Sequence, residues 1–123
     1  MPAESTGVGG DSPDLTRPIL ELAIEDWYGL WEIANDAARA VGAAPGTRFR
    51  EMLRSQLATM IDRGLLEAAI WSDEAPKAIS APDVRNLAVD SELWKSPDKS
   101  SIDEQLRVSA TEAGRKEYFG KPT

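Results

Sequence analysis

The segment from Thr47 to Ile70 restricts the possible folds of this chain more than any other part, because it joins an amphipathic helix to a strand through one glycine. Residues recur at the i, i+3, i+4, i+7 spacing that gathers side chains on one face of an α-helix. They are Phe49, Met52, Leu53, Gln56, Leu57, Met60 and Ile61. Thr47 is the predicted N-cap, and Gly64 suits the left-handed residue that follows a helix. Leu66 to Ile70 then alternate as in a half-buried strand.

Two more helices are predicted before this segment. The first begins near Asp14 or Thr16 and runs to about Asp26. The second ends at Gly42, which again suits a residue that follows a helix. Its apolar stripe consists of Leu30, Ile33, Ala34, Ala37 and Val41.

The strand is followed by a polar insert, residues 72–103, and then by a second strand. Ser80 and Asp83 form an imperfect capping box, which predicts one helix in the insert. The apolar side of this helix is expected to contain Val84, Leu87, Ala88 and Trp94, and Pro97 is expected to stop it. In the second strand, Leu106, Val108 and Ala110 alternate with polar residues. Thr111 is predicted to cap a short terminal helix.

Composition limits the functions that the chain can have. Among its 123 residues there is no cysteine and no histidine, so thiolate metal sites and the commonest general base are missing. Neither a nucleophile elbow nor a phosphate-binding glycine loop is present. The sequence therefore predicts a protein that is not an enzyme and needs no cofactor. The net charge of −7 repels phosphate at long range.

The domain organisation predicted from the sequence is simple. Residues 1–14 are small, polar and rich in glycine and proline, and are expected to form a disordered leader. Residues 15–123 are expected to form a single domain. The leader lacks the features of a signal peptide, and no stretch approaches the length of a membrane span, so a cytoplasmic location is predicted.

The order of three helices, then two strands joined by a long connection, predicts an α+β, mostly helical fold of the winged-helix kind. The insert would occupy the wing. Three short motifs resemble winged-helix regulators of the PadR and MarR type. They are Tyr28 to Ala34 (YGLWEIA), Arg63 to Glu67 (RGLLE) and Val108 to Arg115 (VSATEAGR).

The resemblance implies that the helix from Thr47 to Arg63 enters the DNA major groove and that the wing touches the DNA backbone. The DNA contacts implied by position are Arg48, Arg50, Arg54, Ser55, Lys95 and Lys99. Arginine forks can read guanine edges and pair with phosphates. PadR-like regulators dimerise through a further long C-terminal helix, which this sequence is expected to lack because it stops at Thr123. The insert also carries more acidic than basic residues, unlike a wing that touches DNA.

Four tryptophans are the other unusual feature. Trp27 and Trp31 are expected mainly in the core, because they lie on or beside helical stripes. Trp71 and Trp94 are candidates for a surface that binds a partner protein, since exposed tryptophan is a typical interface anchor. The alternative is that Trp94 pins the insert helix onto the strand of Trp71.

Two functional hypotheses follow from these features. The first, which the charge and the altered wing favour, is a non-catalytic protein-interaction or regulatory module that binds an unknown partner protein. The second is a DNA-binding transcriptional regulator that uses residues 47–63 as its recognition helix. Neither the partner nor the oligomeric state follows from the sequence.

Overall fold

A computed structural model of the protein describes residues 14–44, 46–72, 75–96, 98–99 and 104–120. Of the predicted leader, only Asp14 belongs to these ranges. Pro97, which is predicted to end the insert helix, lies outside them. The helices of the described residues are α1 (Thr16–Ala23), α2 (Leu30–Val41), α3 (Thr47–Asp62), α4 (Ala81–Arg85), a 3-10 turn (Glu92–Trp94) and α5 (Glu112–Phe119). The strands of the same residues are β1 (Tyr28–Gly29), β2 (Leu66–Trp71), β3 (Lys77–Ile79) and β4 (Gln105–Ala110).

The fold is therefore α+β, with about half of the described residues in helices and with a small antiparallel sheet. The order of the described strands across this sheet is β1-β4-β2-β3. The two predicted strands, β2 and β4, pair along their whole length from Leu66 opposite Ala110 to Trp71 opposite Gln105. β1 and β3 are not predicted from the sequence, because strands of two or three residues are too short for alternation to be visible.

The three predicted helices before β2 are confirmed, with two differences at their ends. α1 ends at Ala23, three residues before the predicted Asp26. Gly46 takes the N-cap position of α3, so Thr47 is the first helical residue rather than the cap. Gly42 and Gly64 both adopt the left-handed conformation expected after a helix, with φ of 70° and 77°.

The hydrophobic core lies between these helices and one face of the sheet. The apolar faces of α1, α2 and α3 meet the side chains of β2 and β4 that point inward. The largest fully buried residues are Leu15, Ile19, Leu20, Leu30, Ile33, Leu53, Leu57, Met60, Val84, Leu106 and Val108. The predicted apolar stripes thus supply most of the core, as expected for side chains that share one face of an element.

The insert differs from its prediction. Its helix α4 begins after Ser80 as expected, where the Ser80 amide donates to the Asp83 carboxylate at 3.4 Å, but it ends already at Arg85. α4 packs against α3 rather than over the sheet: Arg85 pairs with Asp62 at 3.2 Å. A 3-10 turn then carries Trp94 into the core.

In the part of the chain that the structure describes, no helix is long and apolar enough to cross a membrane.

Candidate interaction site: a tryptophan cleft

A cleft of about 370 Å³ opens beside the edge strand β1, at the beginning of α2. We call it the tryptophan cleft. Its lining residues are Asp26, Trp27, Tyr28, Gly29, Trp31, Glu32, Gln105 and Arg107. The loop after α1, the first turn of α2 and the strand β4 all contribute to it, so the cleft exists only once the sheet has formed.

The outer face of the sheet forms one side of the cleft. Side chains alternate between the two faces of a strand, so Gln105 and Arg107 point away from the core-facing Leu106 and Val108. Arg107 lies opposite Gly29 on one neighbouring strand and opposite Ala69 on the other. Because neither neighbour has a large side chain, the arginine is free to lie across the sheet.

Trp71 provides the aromatic surface on which Arg107 lies. The guanidinium carbon of Arg107 is 5.5 Å from the centroid of the Trp71 ring, within the range of a cation–π contact. Trp27 packs edge-on against the same ring, with centroids 5.8 Å apart and planes at 67°. This is a favourable aromatic geometry, and it fixes two rings and one cation in a continuous layer.

Trp31 stands on the first turn of α2, next to Gly29. A Cβ atom built on Gly29 would come within 3.0 Å of the Trp31 indole nitrogen. Because glycine has no Cβ atom, the Trp31 ring can occupy this space. Glu32 accepts a hydrogen bond from the Gly29 amide at 3.0 Å, which anchors its carboxylate at the start of the helix.

Three carboxylates lie at or beside the cleft, from Glu25, Asp26 and Glu32. Asp26 accepts a hydrogen bond from the Trp27 amide at 2.7 Å, and Glu25 lies 3.4 Å from the Tyr28 hydroxyl. Desolvation of the Tyr28 hydroxyl, followed by the charges of Glu25, Glu32 and Asp26, raises its pKa above the usual 10.0. Within the described residues, no ion pair involves Asp26, Glu32 or Arg107. The cleft is therefore an aromatic site with an excess of negative charge.

The distribution of the tryptophans differs from the prediction. Trp27 and Trp31, expected in the core, are only half-buried and line the cleft. Trp94, a predicted partner-surface residue, is only 4% exposed, and its indole N–H donates to the Ala88 carbonyl at 2.9 Å. Trp71 is half-buried beside the cleft, and its indole nitrogen is buried with no hydrogen-bond partner. Trp94 is thus not available to a partner, whereas Trp27 and Trp31 are.

The residues of α3 proposed to contact DNA have different surroundings. Arg48 and Ser55 are exposed. Arg54 donates to the Leu87 carbonyl at 2.6 Å, so its guanidinium holds the insert against α3. Arg50 is half-buried, and its Nε atom is buried without a hydrogen-bond partner. The insert thus covers one flank of the predicted recognition helix, and the arginines do not form one exposed row.

The two lysines proposed for the wing lie apart from β3 and β4. Lys95 follows the 3-10 turn and pairs with Glu92 at 2.8 Å. Lys99 is exposed in the following turn. Neither residue belongs to the lining of the tryptophan cleft.

Sequence reasoning missed Asp26, Glu32, Gln105 and Arg107 as neighbours of the rings. One signal was available: Trp71 and Arg107 occupy outward positions of two predicted strands. Using it required the register between these strands, which places Trp71 opposite Gln105 and so one diagonal step from Arg107. No sequence pattern indicates where β1 lies in the sheet.

Comparison of the chain with protein-family models, curated proteins and solved structures finds no match.

Proposed function

We propose that this protein is a non-catalytic protein-interaction module and that the tryptophan cleft is the surface that binds its partner. The observation that carries the proposal is the half-buried pair Trp27 and Trp31 at the wall of a cleft. Tryptophan is enriched among the residues that dominate binding energy at protein interfaces. The Trp27 ring already packs against Trp71, so it loses little side-chain entropy on binding, which favours its use as an anchor.

A winged-helix scaffold is part of this proposal. The order α1, α2, α3, β2, insert, β4 supports it, because three helices are followed by two long paired strands. In this scaffold the insert takes the place of a simple wing. A cytoplasmic location stays a prediction from the sequence.

Affinity capture from cells tests the proposal. Tagged wild-type protein is expected to recover a defined partner, and the double variant Trp27→Ala, Trp31→Ala is expected to lose it. Loss of one anchor ring from an interface costs on the order of 2 kcal/mol or more, which is over tenfold in affinity.

Phe119→Ala is the matched control, because Phe119 is an aromatic residue 55% exposed on α5 and does not line the cleft. This variant is expected to retain the partner. Unfolding curves verify that both variants remain folded. If every partner recovered by the wild type is equally recovered by the double variant, the cleft is not the binding surface.

DNA binding by α3 is the second candidate function, and the exposed Arg48 on this helix favours it. The engagement of Arg54 with Leu87 and the net charge of −7 make it the weaker candidate. The variant that tests it is Arg48→Glu, since a change at Arg54 would also disturb the insert. A salt-sensitive shift of duplex DNA that this variant abolishes would support the hypothesis. If the wild type shifts no genomic duplex at low salt, the hypothesis is wrong.

A further inference from the structure

We propose that the tryptophan cleft takes an arginine side chain from a basic segment of the partner protein. This inference rests on the proposed function and specifies the chemistry of the ligand. It follows from the rings, from the position of Arg107 and from carboxylates that form no ion pair with a described residue.

The charges of the cleft favour a cation. Its lining holds the carboxylates of Asp26 and Glu32 against the single guanidinium of Arg107. Glu25 adds a third carboxylate beside Tyr28. Among the described residues none of these carboxylates forms an ion pair, although Asp26 and Glu32 each accept one backbone amide hydrogen bond. The net charge of −7 adds long-range attraction for a basic partner.

The electrostatic state of Tyr28 agrees with this charge balance. After desolvation, the carboxylates of Glu25, Glu32 and Asp26 are the causes that raise its pKa. Negative potential at the hydroxyl holds the proton there, and the same potential attracts a cationic ligand.

The rings favour a guanidinium in particular. The fold already places one guanidinium on an indole ring of this site, since the guanidinium carbon of Arg107 is 5.5 Å from the centroid of the Trp71 ring. Trp27 and Trp31 also line the cleft. A guanidinium is planar and weakly hydrated, so it stacks on indole rings while its N–H groups donate to carboxylates at the edge. A carboxylate ligand would instead meet Asp26 and Glu32.

Intrinsic tryptophan fluorescence measures the binding directly. The probe is the peptide Ser-Arg-Ser-Arg-Ser, and its control is the same peptide with citrulline at both arginine positions. Citrulline keeps the shape of the side chain and removes its charge. The arginine peptide is expected to change the fluorescence of the wild type in a saturable and salt-sensitive way, and the citrulline peptide is not.

The double variant Asp26→Asn, Glu32→Gln removes the charges and retains side-chain oxygens that can accept the Trp27 and Gly29 amide hydrogen bonds. It is expected to weaken binding of the arginine peptide about tenfold, equivalent to the loss of two partly exposed charge contacts. Glu51→Gln with Glu117→Gln changes the net charge equally at exposed positions outside the cleft. This control pair is expected to alter binding by no more than about twofold, because salt screens distant surface charges.

Equal binding of the arginine and citrulline peptides would overturn the inference. So would unchanged affinity in the double amide variant, or no binding of the arginine peptide. If the double amide variant still captures the cellular partner while Trp27→Ala, Trp31→Ala does not, the proposed function stands and the arginine ligand is wrong. If neither variant loses the partner, the proposed function fails as well.

Discussion

Gly114, in the first turn of α5, packs directly against the backbone carbonyl of Leu65. A Cβ atom on Gly114 would overlap the carbonyl oxygen and lie 3.2 Å from a methyl group of Leu20. The same carbonyl accepts a hydrogen bond from the Thr111 amide at 3.0 Å. The Thr111 hydroxyl in turn donates to the Gly64 carbonyl and caps α5 by accepting from the Gly114 amide. The end of α3 and the start of α5 are therefore joined at one point.

Gly114→Ala is expected to lower the free energy of unfolding by at least about 2 kcal/mol, because the added methyl group must displace backbone. The higher helix propensity of alanine offsets less than half of this cost. Urea unfolding followed by circular dichroism measures the change. Gly46→Ala is the comparison, since a Cβ at Gly46 meets nothing within 4 Å and its φ is −100°. Because Gly46 is the N-cap of α3 and alanine is a poorer N-cap, its expected cost is about 1 kcal/mol or less. An effect of Gly114→Ala as small as that of Gly46→Ala would contradict the packing described above.

Trp94→Ala is expected to cost about 3–5 kcal/mol of stability, because it leaves a cavity in the core and removes the indole hydrogen bond to the Ala88 carbonyl, which keeps the Ser91 amide as its other donor. Trp27→Ala is expected to cost less than about 1.5 kcal/mol, since it removes mainly the ring contact with Trp71. Thermal or urea unfolding of the two variants gives this order directly. The sequence alone predicts that Trp27→Ala costs more stability than Trp94→Ala. If the measured costs are equal or follow that order, the burial of the two rings is not as described.

Arg54→Met is expected to lower the free energy of unfolding by about 1–2 kcal/mol. Methionine replaces the packing of the arginine stem but cannot donate to the Leu87 carbonyl, which accepts from Arg54 at 2.6 Å. Arg48→Met is the matched control on the same helix, and its exposed position predicts a change within about 0.5 kcal/mol. Hydrogen exchange in α4 should also increase in Arg54→Met alone. Equal stability of the two variants would mean that Arg54 does not hold the insert.

Glu25→Gln is expected to lower the pKa of Tyr28 towards 10.0, because it removes the largest of the charges that raise it. Ultraviolet titration measures this pKa in a Tyr118→Phe background, where Tyr28 is the only remaining tyrosine of the two. The pKa of Tyr28 is higher in the folded protein than in the unfolded chain. This tyrosine therefore contributes to the free energy of unfolding below pH 10.0, and the contribution is lost as the pH rises through the folded pKa. Glu112→Gln, on α5, should leave the titration unchanged. An unchanged pKa in Glu25→Gln would show that this carboxylate does not act on the hydroxyl.

Much of the fold follows from local patterns. α2 and α3 each have a continuous apolar stripe and a glycine that adopts positive φ after the last turn. Apolar residues occupy every second position of β2 and β4, and Thr111 caps α5 as predicted. These features depend on residues a few positions apart, so they are visible in the sequence. The insert was harder to predict, since α4 spans only five residues and its end depends on contacts with α3.

The candidate site was only partly predictable. Trp71 on the outward face of a strand was visible from alternation, and the position of Arg107 on the same face was as well. Nothing in the local sequence predicts that Gly29 lies in a strand, because β1 has only two residues. Its pairing with Arg107 across the sheet depends on residues far apart in the chain.

Local sequence patterns predict α1, α2, α3 and α5, the two long strands and most of the residues that form the core, because periodicity and capping act over one or two turns. The tertiary structure alone decided which tryptophans are buried. Trp94 enters the core because the insert turns back at Ala88, whereas Trp27 and Trp31 remain at the surface because β1 pairs with β4 and places them at the sheet edge. Burial of a ring depends on what packs over it, and that is a property of the assembled fold rather than of the local sequence.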